Sequence, residues 1–457
     1  MKKIIYLLAL CTFVLSAEAQ VNPAISSWLK NTTETGTYYV NGNSTAIDNG
    51  ILYNCQKVEY SAEYVYVTAT GIPAYPTGPF NDGNPSLATN QNGIYKIPLN
   101  PVKNEGTLNA TTGGNIGLFI NGVALFDYRD GVAWNPNTNA PCGGPGNPPC
   151  PGGPAAKQDW NRDAIPAEMR GFDCSKAHPA MGNYHHHQNP SAFKLDKEVV
   201  SEICNLYDAD GLYAIDENKH SPLIGFAYDG FPIYGAYGYK NADGTGGITR
   251  IKSGYSLRDI TKRATHADGS TVSNGPDVNS TYFLGYFRED YEFITQPSED
   301  YLDEHNGRFC VTPEYPEGTY AYFATVDENW VSTYPYVVGP TFYGVFTNRK
   351  VTSISEQTTN YTGGTSSVSD EYFANINLTV FPNPSSDLLA VQVNELVGNK
   401  LTIDLLDASG KLLMTKVINS GSTISYFDTQ TLYAGVYLVK LSTDKYSTIR
   451  KVVLVKE

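Results

Sequence analysis

The ten residues His178-Pro-Ala-Met-Gly-Asn-Tyr-His-His-His187 hold four of the seven histidines of the chain. If the end of this stretch is a strand, its two-residue alternation puts His185 and His187 on one face and Tyr184 and His186 on the other. Two imidazoles on one face can bind a single metal ion, and imidazole suits copper, zinc, nickel and iron. The alternative is a polar cluster held together by hydrogen bonds. The stretch thus predicts a strand with metal ligands on one face.

Three more histidines are candidates to complete such a site, namely His178, His220 and His305. Pro179 keeps the backbone of His178 extended, which can fix its ring. Asp303 and Glu304 can orient a ligand by accepting its second ring N–H, or they are solvated loop charges. A set of three or four imidazoles without a cysteine suits copper(II) or zinc(II), and the geometry decides between them.

The sequence leaves the chemistry of such a site open. Zinc with a free coordination position can activate water, with Glu304 as a candidate base. However, neither Gly-x-Ser-x-Gly nor His-Glu-x-x-His occurs, so no catalytic residue is assigned. The competing class is a non-enzymatic binding or adhesive module, because the 34 tyrosines can supply contact surface for glycans or protein partners. In that interpretation, the histidines stabilise loops.

The composition predicts a mainly β protein of two or three domains. The chain has 457 residues, of which 41% are hydrophobic and 17% charged, and Tyr, Thr, Val, Gly and Asn are abundant. Asn115–Phe126 and Leu223–Tyr234 predict hairpins that turn at Asn-Gly and Asp-Gly, and 194–204 predicts a short helix. Four other Asp/Asn-Gly stretches lack calcium-loop spacing and predict turns. A net charge of −14 without a basic cluster excludes nucleic-acid binding.

Residues 1–19 predict a signal peptide, with two lysines, a short apolar run and an Ala-Glu-Ala cleavage site. The apolar run is too short to span a bilayer, so we expect export without membrane insertion. Export places the six remaining cysteines in an oxidising compartment and predicts up to three disulfides. Cys142 and Cys150 enclose a Gly/Pro-rich loop and are the first predicted pair. Metal ligation by cysteine is the disfavoured alternative.

The C-terminal part resembles a known sorting module. Residues 349–375 are Ser/Thr/Gly-rich and predict a linker, after which short strands separated by turns predict a small β-sandwich. Within 376–457, the pieces beginning at Val380, Asp407 and Ala434 resemble the type IX secretion C-terminal sorting domain. The resemblance implies an Ig-like β module that engages the type IX machinery. It also implies export through the periplasm and outer membrane, to the medium or the cell surface, with the module removed or exchanged for a lipid-linked anchor.

The preceding region, 20–348, resembles the YHYH domain family of secreted bacterial proteins, which implies a β-sandwich-like domain without an assigned activity. The matching pieces are Gly78-Pro79-Phe80, Asn115 to Val123, Cys174 with His178-Pro179, Tyr184 to His187, His220 to Gly235 and Asp303 to Phe323. His186 replaces the second Tyr of Tyr-His-Tyr-His, and Ala177 stands where Gly precedes His-Pro. The first replacement adds a potential ligand on the opposite strand face.

Overall fold

The structure, a computed structural model, describes residues 21–81, 87–144, 146–151, 158–205, 207, 209–346, 350–362, 379–393, 400–407, 411–418, 423–443 and 447–456. The predicted signal peptide and positions 363–375 of the predicted linker lie outside the described residues. No helix in the described ranges is long and apolar enough to cross a membrane.

The protein is mainly β, as predicted. The strands before the sorting module are β1 (Thr35–Tyr38), β2 (Ile47–Leu52), β3 (Cys55–Tyr60), β4 (Tyr64–Ala69), β5 (Gly93–Pro98), β6 (Asn115–Phe119), β7 (Ala124–Phe126), β8 (Arg129–Asn135), β9 (Ala140–Cys142), β10 (Asn161–Asp163), β11 (Ala177–Ala180), β12 (Asn183–His186), β13 (Leu223–Ala227), β14 (Pro232–Tyr234), β15 (Tyr237–Tyr239), β16 (Ile248–Arg250), β17 (Tyr255–Leu257), β18 (Tyr291–Phe293), β19 (Gly307–Cys310), β20 (Thr319–Phe323), β21 (Lys350–Val351) and β22 (Thr359–Asn360). The helices are α1 (Pro23–Ser26), α2 (Ala164–Glu168) and 3-10 turns at Met169–Gly171, Phe193–Leu195, Glu202–Asn205 and Arg288–Asp290.

An eight-stranded sheet with the order β11-β12-β7-β6-β13-β14-β20-β19 forms the centre of the fold. The predicted hairpins β6–β7 and β13–β14 are confirmed, and they lie side by side because β6 pairs with β13. Strand β12 pairs in parallel with β7, which places His185 opposite Ala124. All of the residues in β13 and β14 are buried, so their continuous apolar runs form the core of this sheet.

A five-stranded sheet, β21-β5-β4-β3-β22, packs against this centre. Its outer strands belong to the segment predicted as a linker: Lys350–Val351 pairs with β5 and Thr359–Asn360 pairs with β3. The described beginning of that segment therefore extends a sheet. The helix predicted over 194–204 is wrong, because two separate 3-10 turns occur there instead. The backbone becomes extended at Asp196 (φ −70°, ψ 144°), whose side chain pairs with the buried Lys176, so a continuous helix does not form.

The C-terminal module is a two-sheet β structure, consistent with the Ig-like fold that its sequence implies. Its sheets have the orders β23-β24-β27 and β26-β25-β28-β29, and one apolar core includes residues of both. The strands are β23 (Thr379–Phe381), β24 (Leu388–Val393), β25 (Leu401–Asp407), β26 (Leu412–Ile418), β27 (Thr423–Asp428), β28 (Gly435–Ser442) and β29 (Ser447–Leu454).

Two disulfides cross-link the first domain. Cys142–Cys150 is the pair predicted from the short loop, and Cys174–Cys204 is the second. The other two cysteines among the described residues, Cys55 and Cys310, are buried thiols, and burial raises the pKa of each.

Candidate metal centre

A β-hairpin positions the first two histidines of the site. Strands β11 and β12 pair antiparallel with His178 directly opposite His185, and such cross-strand neighbours project from the same face. The two residues of the connecting turn, Met181 and Gly182, both have positive φ, at 49° and 85°. This is the primed two-residue turn whose twist matches that of the flanking strands. The hairpin therefore fixes the register that places the two imidazoles together.

His187 follows β12 immediately and continues its alternation. Its Nε2 lies 3.0 Å from Nε2 of His185, and potential ligand atoms of His178, His185 and His187 all lie within 4.8 Å of one another. With metal–nitrogen bonds of about 2.0–2.1 Å, ligand angles of about 90–109° separate two nitrogens by roughly 2.9–3.4 Å. The observed separation has the size that two imidazoles on one ion require.

Backbone carbonyls fix the tautomers of this pair. His185 Nδ1 lies 2.8 Å from the carbonyl oxygen of Asn183, and His187 Nδ1 lies 2.6 Å from that of Asp127. Because a carbonyl only accepts, each Nδ1 carries the hydrogen and donates it. A neutral imidazole has one N–H, so when both rings are neutral the two Nε2 atoms present lone pairs to each other. Two lone pairs facing each other at 3.0 Å repel unless a proton or a metal cation lies between them.

The site is buried and walled by aromatic rings. His178, His185 and His187 are 6%, 1% and 3% exposed. Phe126 stacks on His185 with ring centroids 3.7 Å apart, and Phe172 meets His178 edge to face at 4.9 Å. Burial, followed by the charges of the neighbouring histidines, holds the pKa of His185 well below its ordinary value. His185 is therefore neutral at pH 7, which is the form that binds a metal ion.

Glu168, at the end of α2, supplies a carboxylate that the sequence analysis did not select. Its Oε2 lies 3.2 Å from Nε2 of His178 and 3.4 Å from Nε2 of His187. Burial alone would raise the pKa of Glu168, but the close contacts with these two histidines outweigh burial and lower the pKa. An ionised carboxylate thus contacts two of the three imidazoles. Asp163 is a typical N-cap residue, and its side chain accepts the amide N–H of Ile165, but nothing local predicts which way Glu168 points.

The other predicted residues lie outside this group. His186 faces the opposite side of the strand, as alternation predicts, where its Nε2 lies 2.8 Å from the Tyr75 hydroxyl and burial lowers its pKa to about 3. His220 donates Nδ1–H to the carbonyl of Ser221 and packs between Tyr234 and Tyr239.

His305 and its acidic neighbours form a different local structure. His305 Nδ1 lies 2.8 Å from the Thr341 hydroxyl. Asp303 accepts hydrogen bonds from the Tyr320 hydroxyl and two backbone amides, and Glu304 is largely exposed. These contacts hold a loop. Of the five predicted ligands, the structure brings together His178, His185 and His187.

Comparisons with known proteins place both regions. The model of the family described as YHYH protein matches residues 94–336, which include the whole hairpin. The model described as secretion system C-terminal sorting domain matches residues 379–456. No curated protein matches the chain. The sorting domain directs export by type IX secretion, so the protein is secreted or lies at the cell surface, and it engages the type IX machinery.

Proposed function

The chain belongs to the YHYH protein family, whose model covers 243 of its 457 residues (94–336), and we propose that it binds one copper or zinc ion outside the cell. The observation that carries the proposal is the 3.0 Å separation of the Nε2 atoms of His185 and His187, with the Nδ1 of each ring held against a carbonyl acceptor. Ligands with a fixed second N–H partner are typical of metal centres in proteins.

The donor set is His178, His185 and His187 with the carboxylate of Glu168. Three nitrogens and one oxygen suit zinc in a tetrahedral arrangement and copper(II) in a tetragonal one. The 1–6% exposure of the three rings supports a closed site, of the kind that stabilises a fold or stores an ion. We assign no catalytic residue, because the Glu168 carboxylate beside the imidazoles serves as a ligand in this proposal.

The test is elemental analysis of the purified mature protein after dialysis with copper or zinc. We expect one ion per chain, and loss of that ion in a His185→Ala/His187→Ala variant. His220→Asn and His305→Asn are matched controls, since both residues lie outside the group and should leave the stoichiometry unchanged. Metal-free wild-type protein after loading with either ion would overturn the proposal, as would a double variant that keeps its ion.

One observation favours a second candidate, the binding module for glycans or protein partners. A cavity of about 460 Å³ is lined by Phe309, Tyr320 and Tyr343, among others. Tyr320 and Tyr343 stack at 3.6 Å, and Phe309 is 63% exposed. The exposed ring of Phe309 suits sugar or peptide contacts. Retention of metal-stripped protein on a glycan array, lost in Phe309→Ala, would support this function independently of the histidines.

A further inference from the structure

A buried lysine–aspartate pair lies beside the β11–β12 hairpin, which carries proposed metal ligands. Nζ of Lys176 is 2.6 Å from Oδ1 of Asp196, and both side chains are 1% exposed. Lys176 precedes β11 and has a φ of 64°, a conformation that is strained for a non-glycine residue. The backbone therefore adopts an unfavourable conformation at the residue whose amine meets this carboxylate.

The surroundings provide few hydrogen-bond partners for the two charged groups of this pair. The Phe193 ring lies 5.5 Å from Nζ, and the one further acceptor that the structure gives Nζ is the Ser191 hydroxyl, at 3.2 Å. Oδ2 of Asp196 is buried and has no hydrogen-bond partner among the described residues. Desolvating two charges is favourable only when the remaining hydrogen-bonding positions are filled. A neutral product of this pair would avoid that cost.

We propose that Lys176 and Asp196 form an intramolecular isopeptide bond. The ammonium group first passes a proton to the carboxylate, and the free amine then attacks Cγ of Asp196. The Nζ–Cγ bond forms, the Cγ–O bond of the protonated oxygen breaks, and Nζ loses a second proton to the departing hydroxyl. One water molecule leaves, and no oxidant or cofactor is needed.

Several features assist this reaction. The fold holds the amine and the carboxyl group in contact, so the reaction is effectively unimolecular. This proximity increases its rate. Burial raises the pKa of Asp196 to about 6 against the opposing effect of Lys176, and the charge of Asp327 acts in the same direction as burial. Both influences favour the protonated acid, which is the electrophile. The N–H that remains on the product amide can still donate to the Ser191 hydroxyl.

The bond would enclose the β11–β12 hairpin in a covalent loop. Positions 176 and 196 flank the three histidines, and the Cys174–Cys204 disulfide forms a wider loop around the same segment. Two nested cross-links would reduce the conformational freedom of this segment in the unfolded chain and so stabilise its folded form. This role does not depend on whether the hairpin binds a metal.

The test is intact-mass measurement of the reduced mature protein, followed by tryptic mapping. We expect a mass about 18 Da below that of the linear sequence, corresponding to one lost water, and a branched peptide joining positions 176 and 196. Trypsin should fail to cleave after Lys176. A wild-type mass equal to that of the linear sequence, with ordinary cleavage after Lys176, would overturn the proposal. The decisive measurement is made on the wild-type protein, so it does not require that any variant folds.

Variants then establish which atoms react. Asp196→Ala and Lys176→Arg should show the full linear mass. Asp196→Asn should reach the same final mass as the cross-linked wild type, because ammonia leaves in place of water. The neighbouring pair Lys197–Glu217 is an internal control: its atoms are also 2.6 Å apart, but its side chains are 43% and 50% exposed, and we expect no cross-link there.

Discussion

Nε2 of His185 lies 3.0 Å from Nε2 of His187 although both residues donate their Nδ1–H to backbone carbonyls. The repulsion between the two lone pairs is relieved by a shared proton or by a bound cation. Because a cation that binds only the folded state stabilises it by mass action, the stability of this protein should depend on the metal in solution.

Glu168 should contribute to metal affinity as a charged ligand. Replacing it in Glu168→Gln keeps the shape of the side chain but removes the charge that faces His178 and His187. We expect affinity to fall by at least the roughly 10–100-fold that is typical of losing a group that orients a ligand. Competition with a chromophoric chelator measures the dissociation constant. Glu304→Gln changes an exposed carboxylate and serves as the control, so equal affinities in the two variants would contradict the assignment.

The turn of the hairpin should be sensitive to its two positive-φ residues. In Gly182→Ala the new Cβ would lie 2.2 Å from the Thr89 hydroxyl oxygen, and the φ of 85° disfavours any side chain. We expect a loss of about 1–3 kcal/mol in the free energy of unfolding, with weaker metal binding. Met181→Asn should instead stabilise the protein by about 0.5–1 kcal/mol, because asparagine tolerates this conformation and Met181 is almost fully exposed. Denaturant titration measures both changes, and effects of the same sign would contradict the turn assignment.

The two disulfides should differ in their contribution to stability. The Cys174–Cys204 bridge spans 30 residues and the Cys142–Cys150 bridge spans 8. Loop-closure entropy gives roughly 3–4 kcal/mol for the longer loop and roughly 2–3 kcal/mol for the shorter one. Paired alanine variants compared by urea unfolding test this order. A larger loss on removing the short bridge would show that native-state packing, and not chain entropy, dominates.

The free energy of unfolding should fall as rising pH deprotonates Asp229. Burial raises the pKa of Asp229 from 3.8 to about 6, although hydrogen bonds from Tyr322, Gly344 and Phe231 act to lower it. Between those values the unfolded chain releases this proton before the folded protein does. The contribution of Asp229 is therefore fully present below pH ~4 and is lost by pH ~6, a change of ~3 kcal/mol.

The comparison variant is Asp229→Asn, which cannot titrate. The difference in unfolding free energy, wild type minus variant, should decline from pH 4 to pH 6 and then level off. A constant difference over this range would mean that Asp229 has the same pKa in the folded and unfolded states.

Local sequence determined those features that depend on neighbours along the chain. The side-chain period of a strand placed His185 and His187 on one face and His186 on the other, whatever the strand packs against. The eight-residue spacing of Cys142 and Cys150 made their pairing geometrically accessible, and Asp229-Gly230 marked the turn between β13 and β14. In each case, the interacting residues are only a few positions apart, so local backbone geometry restricts which contacts they can form.

Tertiary structure decided which distant groups join the site. His178, His220 and His305 were equal candidates in the sequence, and only the register of β11 on β12 brought the first of them to the pair. The parallel pairing of β12 with β7 brings His187 to the carbonyl of Asp127, and helix α2 delivers Glu168. These contacts depend on how separate elements pack. The spacing of residues along the sequence does not determine the distance in space between elements that are far apart in the chain.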